Sequence, residues 1–185
     1  SASASYTLTM PNNDGDANQV LTTNGSGVLS FTTPASANNT PAFQACRTTN
    51  QSISNNTFTK VAFQTQNFDI TNVYDTDVYS RFTPGVAGKY FVYGQIYMES
   101  SSGSHTGRRA LAHIYKNGSS FKQTIAAYAG ESGDLTAVTG LVSTVMVLDD
   151  NDYVELFGQF LTFSGNVELD GRVSGGHFGA YRIIT

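Results

Sequence analysis

The chain has 185 residues, a formal net charge of -4 and 13% charged residues, against about 25% in an average globular protein. Its ten Lys and Arg residues are too few for the clustered positive surface that binds nucleic acid, which we exclude as a partner. No apolar run approaches the roughly 18 to 20 residues that cross a bilayer, so we expect no membrane insertion.

Residues 1–33 contain a predicted β-hairpin. Val20–Thr23 and Val28–Phe31 flank the segment Asn24–Gly27, whose Asn and Gly residues suit the positive φ angles of a tight reversal. A two-stranded hairpin is only marginally stable in water, so contacts with the main domain or with neighbouring chains must stabilise it. We therefore interpret residues 1–33 as an N-terminal connector or attachment segment.

Residues 34–41 are rich in Pro, Ser and Asn and are interpreted as a linker. Residues 42–185 are long enough for one globular domain. They show short alternating segments and turns without helical periodicity, which predicts roughly eight to ten antiparallel strands in a two-sheet jelly roll. The predicted strands are 42–48, 58–64, 78–83, 88–99, 108–116, 121–129, 136–148, 153–162 and 177–184, and the main predicted loops are 68–77, 100–107, 130–135 and 164–176.

The predicted strand 88–99 is apolar on both faces. Successive strand side chains point to opposite faces, so Tyr90, Val92, Ile96 and Met98 share one face. The other face carries Phe91, Tyr93 and Tyr97. A strand with one solvated face would alternate apolar with polar residues, so both faces should be covered. The domain core covers one face, and a second copy of the chain is the simplest cover for the other. We predict that Phe91, Tyr93 and Tyr97 form the interface between copies.

No catalytic residue is predicted. The sequence has no G-x-S-x-G motif, and Cys46 has no recognisable His and Asn partners. We interpret Cys46 as a small buried side chain, and His113 and His177 as packed or hydrogen-bonded strand residues. The expectation is a protein that is not an enzyme and uses no cofactor.

No metal site is predicted either. Residues 149–152 are acidic or amide-bearing and could bind a hard cation, but Asp and Asn also dominate turns for local reasons. Asp14 and Asp16 match the start of an EF-hand loop. That pattern fails at Gln19, where Gly is needed, and at Gly25, where Glu is needed.

The order Phe63, Asp69, Tyr74, Phe82, Gly88, Tyr90 resembles the signature of the C1q/TNF-like jelly-roll family. Asn117-Gly118, the turn at 149–154 and Phe178-Gly179 follow in the order of that family. The resemblance covers residues 42–185. It departs at a Tyr74 to Phe82 gap that is one residue longer, and at Val92 where the family has an aromatic residue. The resemblance implies a C1q/TNF-like homotrimer.

The segment DGDANQVLTTNGSGVLSF is similar to segments that precede the distal domains of phage tail-fibre proteins. The two resemblances imply a non-enzymatic protein of the virion surface, either a fibre tip or a capsid decoration. It would attach to a host surface glycan or protein or stabilise the particle, with residues 1–33 contacting other virion proteins. The alternative is a secreted, extracellular C1q/TNF-like adhesive or structural binding protein of a cell.

Receptor contacts are expected in the outward loops, because loops on a rigid sheet scaffold commonly carry recognition residues. The candidates are polar side chains that can form hydrogen bonds with sugars or proteins. They are His105, Glu131, Asp134, Asn166 and Glu168.

Overall fold

The computed structural model describes residues 5–34, 39–100, 107–127, 137–162 and 167–183. All regular secondary structure in these residues is β-strand. None of them belongs to a helix that is long and apolar enough to cross a membrane. The chain divides into two compact units, Ser1–Asn38 and Asn39–Thr185.

The first unit contains the predicted hairpin. Strands β1 (Val20–Thr23) and β2 (Leu29–Thr32) pair antiparallel. Asn24 Oδ1 accepts hydrogen bonds from the backbone N–H groups of Ser26, at 2.9 Å, and Val28, at 3.2 Å, which closes the turn. The second strand begins one residue later than predicted. None of residues 5–34 is buried, so the described part of this unit has no core of its own.

The second unit consists of two antiparallel sheets. Its described strands are β3 (Ala42–Cys46), β4 (Gln51–Ile53), β5 (Thr59–Lys60), β6 (Thr65–Ile70), β7 (Tyr74–Asp75), β8 (Arg81–Phe82), β9 (Gly88–Ser100), β10 (Gly107–Lys116), β11 (Ser119–Ala127), β12 (Ala137–Leu148), β13 (Val154–Thr162), β14 (Val167–Leu169) and β15 (His177–Ile183). There are more strands than the predicted eight to ten because several have only two or three residues.

Strand β9 is at the centre of the first sheet. β12 pairs with it along one side over the whole of Gly88–Glu99. On the other side β15 pairs with its first half and β14 with its last three residues. β3 and β6 extend the sheet beyond β15, and β4 extends it beyond β14. The second sheet has the order β11, β10, β13, with β5 and β8 pairing with β13 and β7 pairing with β8.

The core lies between the two sheets and includes a stack of aromatic rings. The ring of Phe43 lies 4.6 Å from that of Tyr74 and 4.9 Å from that of Phe82, centroid to centroid. Phe178 meets Phe43 edge-on at 5.2 Å. The predicted inner face of β9 is confirmed, because its four members, Tyr90, Val92, Ile96 and Met98, are all buried.

The predicted strand 58–64 is wrong in length, because regular pairing ends at Lys60. Val61 and Phe63 are buried, as the alternation requires. The Gln51 side chain, however, donates to the Lys60 carbonyl at 2.8 Å and accepts from the Ala62 N–H at 3.1 Å. Side-chain groups thus take hydrogen bonds that a neighbouring strand would otherwise form.

Two segments predicted to be loops, 68–77 and 164–176, contain strands. The first contains the end of β6 (Thr65–Ile70) and all of β7 (Tyr74–Asp75). β6 lies at a sheet edge and is mostly exposed, so its sequence lacks the apolar alternation of a half-buried strand. The predicted loop 164–176 contains β14, whose Val167 and Leu169 are buried. Three residues are too few for a period of two to be recognised.

Candidate interaction surface

The outer face of the first sheet carries a row of apolar side chains that crosses five strands. Residues directly opposite each other on adjacent strands lie on the same face of a sheet. The members of the row, in order from β12 to β6, are Val145, Phe91, Tyr181, Ala42 and Ile70. The next row along the strands is Ser143, Tyr93, Gly179, Gln44 and Phe68.

Tyr93 lies flat across β15 because residue 179 is glycine. A Cβ atom at Gly179 would come within 2.5 Å of the Tyr93 ring. Gln44 Nε2 donates to the Tyr93 hydroxyl at 3.0 Å, and the rings of Tyr93 and Phe91 lie 5.8 Å apart. Burial raises the pKa of Tyr93. These contacts position the ring over Gly179 in the outer face of the sheet.

Much of this face is open to solvent. Val147 is 65% exposed, Leu141 57% and Val145 53%, all on the outer side of β12. Phe68, Ile70 and Tyr181 are also exposed. Contiguous exposed apolar surface of this kind marks an interaction site in soluble proteins. We call this surface, formed by the outward residues of β12, the first half of β9, β15, β3 and β6, the apolar face.

Tyr97 lies away from the apolar face, at the polar end of the sheet. The Arg172 guanidinium lies 4.9 Å from the centroid of its ring and forms ion pairs with Asp170 at 2.6 Å and Glu99 at 3.5 Å. Burial raises the pKa of Glu99. Burial acts in the same direction on Asp170, but its hydrogen bonds with Arg172 outweigh it and lower the pKa of Asp170. Of the three predicted interface residues, the structure brings only Phe91 and Tyr93 together.

The predicted receptor contacts His105, Glu131, Asp134 and Asn166 lie outside the described residues. Glu168 was expected in an outward loop, and that placement is wrong. It is the middle residue of β14, between Ser52 of β4 and Glu99 of β9. Its side chain points away from the core because its two neighbours point inward, and its Oε2 accepts from Asn50 Nδ2 at 2.8 Å.

Cys46 and the two described histidines are packed side chains. Cys46 is buried, with its Sγ 3.3 Å from Asn67 Oδ1. His113 stacks on Phe58 at 5.0 Å between ring centroids, and burial lowers its pKa. Burial also lowers the pKa of His177, which lies beside Tyr93. These contacts explain the three side chains as packing residues.

The acidic segment 149–152 forms a turn around Asp152. The Asp152 carboxylate accepts from Lys116 Nζ at 2.7 Å, Asn117 Nδ2 at 2.6 Å and the Asp149 N–H at 2.8 Å. The Lys116 contact is the largest of the causes that lower the pKa of Asp152 to about 2. Within the described part of the chain, no three His, Cys, Asp or Glu side chains are placed to hold a metal ion.

The buried cation Arg47 was not predicted from the sequence. This residue is 1% exposed and donates to Gln51 Oε1 at 2.8 Å, the Thr49 carbonyl at 2.6 Å and the Ala62 carbonyl. Desolvation lowers its pKa to about 10. Two of its three acceptors are backbone oxygens, which every sequence contains, so no residue pattern could have indicated the site.

Comparison with solved structures places this architecture among known folds. Eiger TNF from S. frugiperda matches with a TM-score of 0.53 and 10% identity, over 77% of this chain and 91% of that one. The globular domain of zebrafish complement 1qA matches with a TM-score of 0.53 and 14% identity, over 77% and 96%. Murine APRIL matches with a TM-score of 0.53 and 12% identity, over 77% and 98%.

The fold is the C1q/TNF-like jelly roll. The predicted all-β, two-sheet antiparallel architecture is therefore confirmed. No protein-family model matches the chain, and no curated protein is significantly similar to it in sequence.

Proposed function

We propose that this protein is a non-enzymatic binding or structural module that works as a homotrimer through the apolar face. The observation that carries the proposal is the outward row from Val145 through Phe91 and Tyr181 to Ile70. Covering this row with a second copy removes exposed apolar surface from water, which is the main driving force of association. Three copies is the number that the C1q/TNF-like resemblance implies.

The setting that we propose is the surface of a virus particle, as a fibre tip or a capsid decoration. The likeness of the N-terminal segment to phage tail-fibre segments supports this setting. Residues 1–33 would contact other virion proteins, and the absence of buried residues among 5–34 suits a segment completed by a partner. The main unit would then face outward, where it attaches to a host surface or stabilises the particle.

A secreted, extracellular binding protein of a cell is the second candidate. The similarity of the fold to TNF and complement domains favours it, and it requires the same assembly through the apolar face. The two candidates differ in what the N-terminal segment contacts. Labelling intact particles with an antibody against this chain distinguishes them, because only a virion protein would be detected there.

The mass in solution tests the assembly. Light scattering should give about 59 kDa, three times the 19.8 kDa of one chain. Val145→Asp should shift the mass to that of one chain, because an unpaired ionised carboxylate is costly to bury in an interface. Val145 is exposed within one protomer, so the variant should keep its fold, as circular dichroism can check.

The matched control is Val173→Asp, which places the same charge at an equally exposed valine between β14 and β15. This control should remain a trimer. A wild-type mass of one chain at micromolar concentration would refute the proposed assembly. A trimeric Val145→Asp variant would show that the apolar face is not the interface.

A further inference from the structure

A cleft lies beside the short hairpin formed by β7 and β8, and none of the sequence-based predictions uses it. Its volume is about 660 Å³, within the roughly 300 to 1,000 Å³ that is usual for small-molecule sites. It is formed within one protomer. The lining residues that matter for its chemistry are Gln66, Asp75, Asp77, Val78, Tyr79 and Arg81.

Arg81 lines this cleft, and its guanidinium lies over two tyrosine rings. Its Cζ lies 4.3 Å from the centroid of Tyr79 and 4.7 Å from that of Tyr153. The backbone of Tyr153 is positioned by Asn117, because the Tyr153 N–H donates to Asn117 Oδ1 and the Tyr153 carbonyl accepts from the Asn117 N–H, both at 2.9 Å. Within the described residues, the Arg81 guanidinium has no hydrogen-bond acceptor. A positioned planar group with free donors is suited to bind oxygen atoms of a ligand.

Two carboxylates, those of Asp75 and Asp77, line the same cleft as this donor. Asp75 Oδ1 accepts from the N–H groups of Asp77 and Val78, both at 2.9 Å, and these bonds fix the loop. The exposed Asp77 carboxylate accepts from Thr76 Oγ1 at 3.3 Å. Because a carboxylate offers about four lone-pair sites, Asp77 retains capacity to accept from a ligand.

The cleft also offers an apolar surface. Tyr79 is 48% exposed, and Val78 beside it is 72% exposed. These two side chains therefore present apolar atoms at the cleft that a ligand could cover. An exposed aromatic ring flanked by a donor and an acceptor is a combination that suits a ligand with one apolar face and several hydroxyl groups.

The backbone around the cleft is held in unfavourable conformations. Thr71, Asn72 and Ser80 have φ angles of 78°, 55° and 47°, and they are three of the six non-glycine residues with positive φ in the described chain. A β-branched residue such as Thr71 rarely adopts this region. The Asp69 carboxylate holds the segment by accepting from the N–H groups of Val73, at 2.9 Å, and Tyr74, at 3.0 Å. Local strain of this kind concentrates at functional sites.

We propose that this cleft binds a neutral saccharide. The apolar face of a pyranose ring would lie on Tyr79 and Val78. Its hydroxyl groups would accept hydrogen bonds from Arg81 and donate to Asp77, since a hydroxyl group does both. Two carboxylates beside one guanidinium disfavour an anionic ligand, and the guanidinium disfavours a cationic one.

This inference rests on the attachment role proposed above and identifies a neutral saccharide as the ligand for that role. Because one protomer forms the whole cleft, the proposal does not depend on self-association. If the protein is a trimer that binds no sugar, only the saccharide proposal is refuted. If it is a monomer that binds sugar, only the proposed assembly is refuted.

The test is a titration of the full chain with four neutral probes, the methyl glycosides of glucose, galactose, mannose and N-acetylglucosamine, followed by NMR. At least one should bind. Tyr79→Ala should weaken that binding by about tenfold or more, which corresponds to loss of one good contact. Tyr79→Phe keeps the ring and should bind within about threefold of wild type, since the hydroxyl has no role in the stack. Arg81→Lys should weaken binding because it keeps the charge but loses the planar fork.

Tyr6→Ala is the matched control, because Tyr6 is an exposed tyrosine of the other unit. It should bind as wild type does. Each cleft of the Val145→Asp variant should also bind the glycoside with the wild-type affinity. The proposal is overturned if none of the four glycosides binds, or if Tyr79→Ala binds as tightly as wild type. Binding of an arginine amide in place of the sugars would likewise overturn it, in favour of a basic peptide.

Discussion

At the scale of single residues, Arg47 and Gln51 show how buried polar groups shape the chain beside the sheets. Arg47 holds the Ala62 carbonyl, and Gln51 binds the Lys60 carbonyl and the Ala62 N–H. Removing either side chain would leave buried backbone groups unpaired, at a cost of roughly 1 to 3 kcal/mol for each group. Alternation correctly identified the inward residues Val61 and Phe63, but it could not show that side chains would take the place of a neighbouring strand.

Asp152 makes the stability of the protein depend on pH. Its pKa is about 2 in the folded protein, below the value of about 3.9 expected in an unfolded chain. A lowered carboxyl pKa stabilises the fold above the unfolded value, and that stabilisation is lost as the pH falls through about 4 towards 2. We expect Asp152→Asn to lose roughly 1 to 2 kcal/mol at pH 7. The variant should also lose less stability than wild type between pH 4 and pH 2.

Urea unfolding at pH 7, 4 and 2.5 measures this effect, at one fixed protein concentration because assembly contributes to stability. Asp150→Asn is the matched control, since Asp150 is exposed in the same turn. It should behave as wild type does. Equal acid sensitivity of Asp152→Asn and wild type would contradict the assigned role of Asp152.

At the scale of elements, the long strands β9, β10, β12 and β13 were predicted within one residue at either end. Each is a run of nine or more residues rich in apolar, branched or aromatic side chains between turn or loop segments, which predicts a strand even where both faces are apolar, as in β9. β7 and β14 were missed because they have two or three residues.

The candidate surface was predictable in part. The position of Phe91 and Tyr93 on the second face of β9 follows from alternation alone. Their extension into a row with Val145 and Tyr181 depends on strand order and register, which a single sequence does not specify. The saccharide cleft was missed for a similar reason, since Arg81 and Tyr153 are 72 positions apart and meet only through the pairing of β8 with β13.

We predict that the main domain folds and assembles without the N-terminal unit. Deletion of residues 1–33 should leave a trimer with the thermal midpoint of the full chain, because the described residues of this segment bury no side chain. Light scattering and a thermal melt measure both properties. The truncated protein should fail to join its larger assembly. A lowered melting temperature or a lost trimer would instead make the segment part of the folded core.

At the scale of the whole molecule, the apolar face and the cleft adjoin at β6, whose Phe68 and Ile70 belong to the apolar face and whose Gln66 lines the cleft. The apolar face is centred on β9, β12 and β15, whereas the cleft lies at the β7 to β8 hairpin of the second sheet. Assembly through the first would therefore present three copies of the second at fixed spacing. Three weak sites that bind one host surface together would give an overall affinity far above that of a single site, because the sites are linked.

Adsorption of particles to host cells decides between attachment and decoration, if the protein is a virion component. Replacement by Gly and Ser of residues 101–106, 130–135 and 164–166, which belong to the predicted receptor loops 100–107, 130–135 and 164–176, tests these loops while sparing β14. Tyr79→Ala tests the cleft, and Val145→Asp tests the contribution of assembly. Attachment through weak repeated sites predicts that the assembly variant loses far more adsorption than any single-site variant.

Particles that carry Val86→Asp are the control for the added charge, because Val86 is exposed and lies outside the apolar face, the cleft and the predicted receptor loops. Normal adsorption in every variant, together with reduced robustness of the Val145→Asp particles, would reject host recognition and favour decoration. Release of sugar fragments during adsorption would contradict the non-enzymatic role. A loss confined to the loop replacement would place recognition in those loops rather than in the cleft, because Tyr79 and Arg81 are unchanged in that variant.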